Sequence, residues 1–181
     1  MTNSFESSPL PFRIGHGYDL HRLAPQHPSS PSTSTPEQGR PFILGGILLP
    51  HTHGPISHSD GDALYHAITD ALLGALALPD IGQLFPDTDP RHESQDSAIF
   101  LAAARDAVLS KNYTIANIDA TIILERPKLS PFKDFMRANI AALLNIPLSN
   151  INIKGKTHEK VDAVGEGRAV EVHVVALLMH S

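Results

Sequence analysis

Between Ala63 and Leu76 the apolar residues Ala63, Leu64, Ala67, Ile68, Ala71, Leu72, Ala75 and Leu76 recur at spacings of three and four, the rhythm of a helix with one face in a core. Ser59 stands where an N-cap is expected and Asp62 follows three residues later as its capping-box partner, so the helix is predicted to begin near Ser59. The rhythm differs in Phe12 to His21, where strand-like alternation, with a first strand over about Phe12 to Leu20, puts Asp19 and His21 on one side.

Further along, Pro41 to Pro50 reads as a hairpin turning on Gly45-Gly46. Pro79 to Pro90, with prolines and aspartates interleaved, reads as a structured turn. A second helix, capped by Ser94 or Asp96, is predicted to run to about Lys111 on Ile99, Ala102, Ala103, Ala107 and Val108. Ile118 to Leu124 is a buried-type strand. Ser130 then caps a third helix, with Pro131 at its first position and Phe135, Met136, Ile140, Leu143 and Leu144 on its apolar side. Strands at Asn150 to Lys156 and Ala169 to Met179 close the chain. This alternation predicts an α/β domain of α+β sandwich type, a mixed sheet with helices packed on it. The last strand is apolar at successive positions, so coverage of both its faces is expected, with sister subunits one way to supply it.

Composition narrows the chemistry. At 181 residues and 41% hydrophobic content the chain fits one domain with its own core, expected over residues 12–181. The first eleven residues read as a disordered leader, and Pro25 to Arg40, rich in Pro, Ser and Thr, as an exposed loop. With no cysteine, a transition metal must use His and carboxylates. A net charge of −5 without basic clusters argues against nucleic acid as a partner. No stretch approaches the roughly 18 to 20 apolar residues of a membrane span.

One feature of the first helix is out of keeping with its surroundings. Asp62, His66 and Asp70 stand a turn apart among Ala, Leu and Ile. A solvated edge would explain the row, as would a core histidine held by an acid. Joined to Asp19 and His21, however, His66 completes a set of two histidines and a carboxylate. Three protein ligands leave one tetrahedral position open, the pattern of a catalytic zinc site.

The motifs form an ordered series: Gly15-His16-Gly17-Tyr18-Asp19-Leu20-His21; His58-Ser59-Asp60-Gly61-Asp62 with His66; Asp80-Ile81-Gly82; Phe85 to Asp89; Pro127-Lys128; and Lys156-Thr157-His158-Glu159-Lys160. From about Arg13 to Met179 this series resembles the 2-C-methyl-D-erythritol 2,4-cyclodiphosphate synthase family, and its wording from Lys156 to Arg168 is similar to plant-like members. The resemblance implies a homotrimer with helices on one face of the sheet and active sites between subunits. It implies a reaction of non-mevalonate isoprenoid synthesis: the 2-phosphate of 4-diphosphocytidyl-2-C-methyl-D-erythritol 2-phosphate attacks its own β-phosphorus and CMP is released. The compartment expected is the cytoplasm if the source is bacterial and a plastid-type stroma if it is eukaryotic.

By the same resemblance, Asp19, His21 and His66 ligate zinc and Glu159 holds magnesium or manganese. His58 and Ser59 lie on a loop that touches the phosphates, and Thr157 steadies the transition state. Asp80, Gly82, Phe85, Asp87 and Asp89 match the segment around the methylerythritol group. Leu124, Pro127, Lys128, Leu129 and Ser130, with Lys156, Thr157, His158 and Glu159, match the nucleotide pocket. Asp62 and Asp70 are expected to orient a ligand histidine through its other ring nitrogen.

The chain also departs from the common pattern. Lys156-Thr157-His158-Glu159 replaces Thr-Thr-Thr-Glu, and Ala163 and Glu166 stand where many members have Phe and Arg, with Arg168 two residues on. A zinc-dependent phosphohydrolase and a non-catalytic trimeric nucleotide-binding protein are the competing readings of the same residues.

Overall fold

The computed structural model describes residues 9–26, 38–86 and 93–181. Strands β1 (Phe12–Pro25), β4 (His53–Pro55), β5 (Tyr113–Ile123), β6 (Ile151–Lys156) and β7 (Ala169–His180) form a five-stranded sheet in the order β4-β1-β7-β5-β6. Only β5 and β6 run parallel, which makes the sheet mixed. The short strands β2 (Ile43–Leu44) and β3 (Ile47–Leu48) form the expected hairpin, and both its turn residues, Gly45 and Gly46, take positive φ. Helices α1 (Ala63–Ala75), α2 (Ile81–Leu84), α3 (Ala98–Ser110), α4 (Lys133–Leu144) and α5 (Asp162–Gly165) complete the chain.

Alternation decides which face of the sheet is covered. On β7, Val170, Val172, Val174, Ala176 and Leu178 are fully buried, whereas Val175 and Met179 are each 45% exposed. The expectation that both faces of this strand are covered is therefore not met within one chain. The outer face stays open and apolar, with Phe12, Ile14, Tyr18 and Leu20 of β1 beside it.

Several boundaries differ from the sequence reading. Helix α1 starts at Ala63 rather than near Ser59, because Gly61 takes φ +77 and Asp62, not Ser59, is the N-cap. The Asp62 carboxylate accepts the N–H groups of Leu64 and Tyr65 and, from the hairpin, those of Gly45 and Gly46. Helix α3 buries Phe100, Leu101, Ala104 and Val108 and leaves Ile99 exposed. The predicted stripe was rotated because the bulkier Phe100 and Leu101 occupy the core in place of Ala102 and Ala103. Helix α4 starts at Lys133, with Ser130 and Pro131 in a turn before it. Its buried residues are Met136, Ile140 and Leu144, while Phe135 faces out.

The expected turn after α1 contains the one-turn helix α2, capped by Asp80, whose Oδ1 accepts the Gln83 N–H. The ends of the expected 25–40 loop are built in: Pro25 closes β1, and Gly39 and Arg40 are buried. Residues 27–37, the leader residues 1–8, and Asp87 and Asp89 lie outside the described residues.

Candidate active site

Strand β1 positions half of the candidate metal site and α1 the other half. Along the covered side of β1 come Gly15, Gly17, Asp19 and His21. A Cβ on Gly15 would stand 1.8 Å from the Ala71 carbonyl oxygen, and one on Gly17 equally close to that of Ala67. The helix backbone thus rests directly on the strand. That close approach brings His66, the residue before Ala67 on α1, to Asp19 and His21.

The three ligand atoms form a triangle. His66 Nδ1 lies 3.1 Å from Asp19 Oδ2, His21 Nε2 lies 3.2 Å from the same oxygen, and the two nitrogens are 3.3 Å apart. Tetrahedral ligands at zinc distances of about 2.0–2.1 Å are separated by ~3.3 Å. The three side chains that the sequence pairs across 45 residues are therefore already spaced for one ion, and among the described residues they are the one such group of three.

Charge binds this group together. Burial works to raise the Asp19 carboxyl, but hydrogen bonds from His21 and His66 outweigh it and hold Asp19 well below the usual carboxylate range. Burial likewise opposes the charged form of His66, yet the hydrogen bond and charge of Asp19 raise it above an ordinary imidazole. At its other ring nitrogen, Nε2, His66 meets the hydroxyls of Ser97 and Ser59 at 2.8 and 3.2 Å. Ser97 is a site neighbour that the sequence reading missed, since nothing in the local spacing links it to His66. Asp62 and Asp70, expected to orient a histidine, do other work. Asp62 is taken up by the four backbone N–H groups named above, and Asp70 accepts the Ile81 N–H at 2.8 Å.

The loop entering α1 rests on a buried cation. Arg40 donates from Nε to the Ser57 carbonyl, from Nη2 to that of His58 and from Nη1 to Ser94 Oγ, at 2.7, 3.1 and 3.1 Å. This fixes His58, whose Nε2 is buried without a hydrogen-bond partner among the described residues. Such an atom is costly unless something else meets it. Next to the triad, the Phe85 ring packs 4.7 Å from Phe100, whose own ring is 6.1 Å from His66. The segment carrying Asp80, Gly82 and Phe85 is thereby anchored beside the metal group.

A second feature lies at the carboxyl ends of the parallel pair β5 and β6, where open α/β sheets commonly take ligands. A cleft there is lined by Leu124, Pro127, Lys128, Leu129, Ser130, Lys156 and Thr157, all expected, by Glu125 within the same expected stretch, and by Lys133 and Gly155, which were not expected. Glu125 Oε1 accepts the N–H groups of His158 and Lys160 and so holds the turn after β6. His158 and Glu159 are outside the cleft lining. His158 pairs with Asp162 at 3.0 Å, and Glu159 accepts the Thr157 hydroxyl at 3.0 Å. Within one chain Glu159 is not brought to the Asp19–His21–His66 group.

The sequence profile of the YgbB family matches residues 12–179. The chain belongs to the YgbB family. A chloroplastic 2-C-methyl-D-erythritol 2,4-cyclodiphosphate synthase of Oryza sativa subsp. japonica is 51% identical over 170 residues, covering 94% of this chain and 71% of that protein. The synthase of Burkholderia mallei (strain SAVP1) is 46% identical, covering 94% and 97% of the two chains. A solved structure of IspF from Plasmodium falciparum, a CDP complex, superposes with a TM-score of 0.79 at 39% identity, covering 96% of this chain and 99% of that one. Members of the YgbB family at this identity carry the cyclodiphosphate synthase activity of isoprenoid biosynthesis, a lyase reaction that forms a cyclic diphosphate and releases CMP. The family and the reaction that the motif series implied therefore stand. The plastid branch of the localisation expectation accords with the chloroplastic designation of the plant relatives. Among the described residues no helix is long and apolar enough to cross a membrane.

Proposed function

We propose that the chain acts as a homotrimer with active sites between subunits, holding zinc at Asp19, His21 and His66 and magnesium or manganese at Glu159. In this arrangement it closes 4-diphosphocytidyl-2-C-methyl-D-erythritol 2-phosphate to the 2,4-cyclodiphosphate. The observation that carries the reading is the ligand triangle, with edges of 3.1–3.3 Å and Asp19 held in its charged form. Two histidines and a carboxylate suit zinc, and the lone carboxylate of Glu159 suits a hard, oxygen-loving cation. The cations would supply Lewis-acid polarisation of the phosphates and relief of their mutual repulsion.

In the reaction a 2-phosphate oxygen forms a bond to the β-phosphorus. The bond from that phosphorus to the oxygen bridging the α-phosphate breaks, and CMP leaves with that oxygen. Two anions must be brought into contact, so positioning and positive charge are the main requirements. His58 Nε2 has a free polar atom to offer a phosphate, with Ser59 beside it. Asp80, Gly82 and Phe85 hold the methylerythritol end, and Asp87 and Asp89 are assigned to the same end by motif alone. In the cleft Lys128, Lys133 and Lys156 offer charge to the departing CMP, while backbone groups from Leu124 to Ser130 read the base. Thr157, which lines the cleft, is assigned to the bridging oxygen by motif.

The test is incubation with the substrate, followed by phosphorus NMR. Equal amounts of cyclic diphosphate and CMP are expected, with activity lost on chelation and restored by zinc and magnesium together. CMP accompanied by linear phosphate products would instead mark a phosphohydrolase, and absence of turnover in the metal-replete protein a binding protein.

A further inference from the structure

The ring of His66 gives one nitrogen to the triad, and the neighbours of the other nitrogen decide where the ring proton sits. Nε2 lies 2.8 Å from Ser97 Oγ. Ser97 is fully buried and has a single hydroxyl proton. That proton goes to Asp60, whose Oδ1 accepts the Ser97 hydroxyl and whose Oδ2 accepts the Ser97 N–H at 3.1 Å. Asp60 Oδ1 also accepts the Asp62 N–H at 3.1 Å. A carboxylate surrounded by donors accepts only, so the Ser97 hydroxyl is committed and its lone pairs are what remain for His66. Nε2 then carries a proton in this contact, so Nδ1, which donates to Asp19 Oδ2 at 3.1 Å in the metal-free chain, is the nitrogen left to offer its lone pair when a cation takes the place of that proton.

Ser97 also sits at the N-cap position of α3 and makes no side-chain cap bond there. A capping serine commonly turns its hydroxyl oxygen to its own helix, and here that oxygen faces the histidine instead. We infer that Asp60 and Ser97 form a positioning relay that fixes the tautomer and orientation of His66, so that the loop carrying His58 and Ser59 and the metal ligand are registered by one pair of side chains. The inference rests on the zinc reading of the triad. Asp60 and Ser97 are assigned no contact with substrate or metal and reach the triad through His66.

Zinc affinity, measured by competition with a chromophoric chelator, tests it without reference to turnover. Ser97→Ala and Asp60→Asn are each expected to weaken zinc binding about 10- to 100-fold, with the melting temperature of the metal-free proteins little changed. Ser97→Thr, which keeps the hydroxyl, should retain affinity within about threefold. The double variant Asp60→Asn/Ser97→Ala should be little weaker than either single variant, since the two residues act as one unit. If Ser97→Ala does not fold, Asp60→Asn and Ser97→Thr still give the comparison. Wild-type protein that binds zinc tightly while Ser97→Ala keeps its affinity within twofold would overturn the relay and leave the zinc reading standing. Full additivity in the double variant would overturn it as well. Wild-type protein that binds no zinc would remove the metal reading, and the relay with it.

Discussion

Gly17 shows how much of this site depends on one missing atom. A methyl group there would meet the Ala67 carbonyl oxygen at 1.8 Å, and backbone of a helix packed on a strand cannot step aside as a side chain can. Gly17→Ala is therefore expected to lose about 3 kcal/mol or more of unfolding free energy in urea. Whatever folds should bind zinc weakly, because α1 must lift away from β1 and carry His66 with it. Protonation acts at the same scale. In the metal-free chain His66 is raised above the ordinary imidazole value of 6.5, so protons compete with zinc to a higher pH than an isolated histidine would allow. Zinc affinity should climb with pH through and beyond 6.5 before levelling, with proton release visible by calorimetry in buffers of different ionisation enthalpy. A dissociation constant already flat above pH 6.5 would contradict the assignment of Asp19 as the partner that raises His66. Strand period put Asp19 and His21 on one side and helix period set His66 on a polar flank of α1, and the family resemblance joined the three. Ser97 and Arg40 were not legible in the sequence, since contacts made by folding across 31 or 17 residues leave no local pattern.

Helix starts and buried faces were read less well than element identities, and the reasons are particular. Ser59 and Asp62 both satisfy N-cap chemistry, and the positive φ of Gly61 decides between them, which spacing does not reveal. On α3 two overlapping stripes have the same period, so side-chain bulk chose the buried one. The consequence for Asp62 is testable. Its carboxylate ends α1 and ties the hairpin turn to it, four N–H groups in all. Asp62→Ala is thus expected to cost about 2–4 kcal/mol in urea unfolding, while the folded fraction keeps zinc affinity within about twofold. An effect on zinc without an effect on stability would return Asp62 to the orienting role first expected of it.

At the scale of the whole molecule, two facts point outward from the single chain. The open face of β1 and β7 carries Ile14, 72% exposed, beside Phe12, Tyr18, Leu20, Val175 and Met179, an apolar surface of the kind that marks an interface. The triad at β1 and the cleft at β5 and β6 are two to three strand positions apart in the sheet order, ~10–14 Å by strand spacing alone. Under the proposed assignment Glu159 and the triad both act on adjacent phosphates of one substrate, so a neighbour's cleft is the natural complement to each triad. Mixing two inactive variants separates this arrangement from a site within one chain. His66→Ala removes the triad half and Thr157→Ala the cleft half. In the proposed trimer, reassembled at random from equal amounts, an interface site needs its triad from a Thr157→Ala chain and its cleft from a His66→Ala chain. About a quarter of the sites meet that condition, so activity should return to roughly a quarter of wild type after unfolding and co-refolding, whereas sites confined to one chain would stay inactive at every mixing ratio.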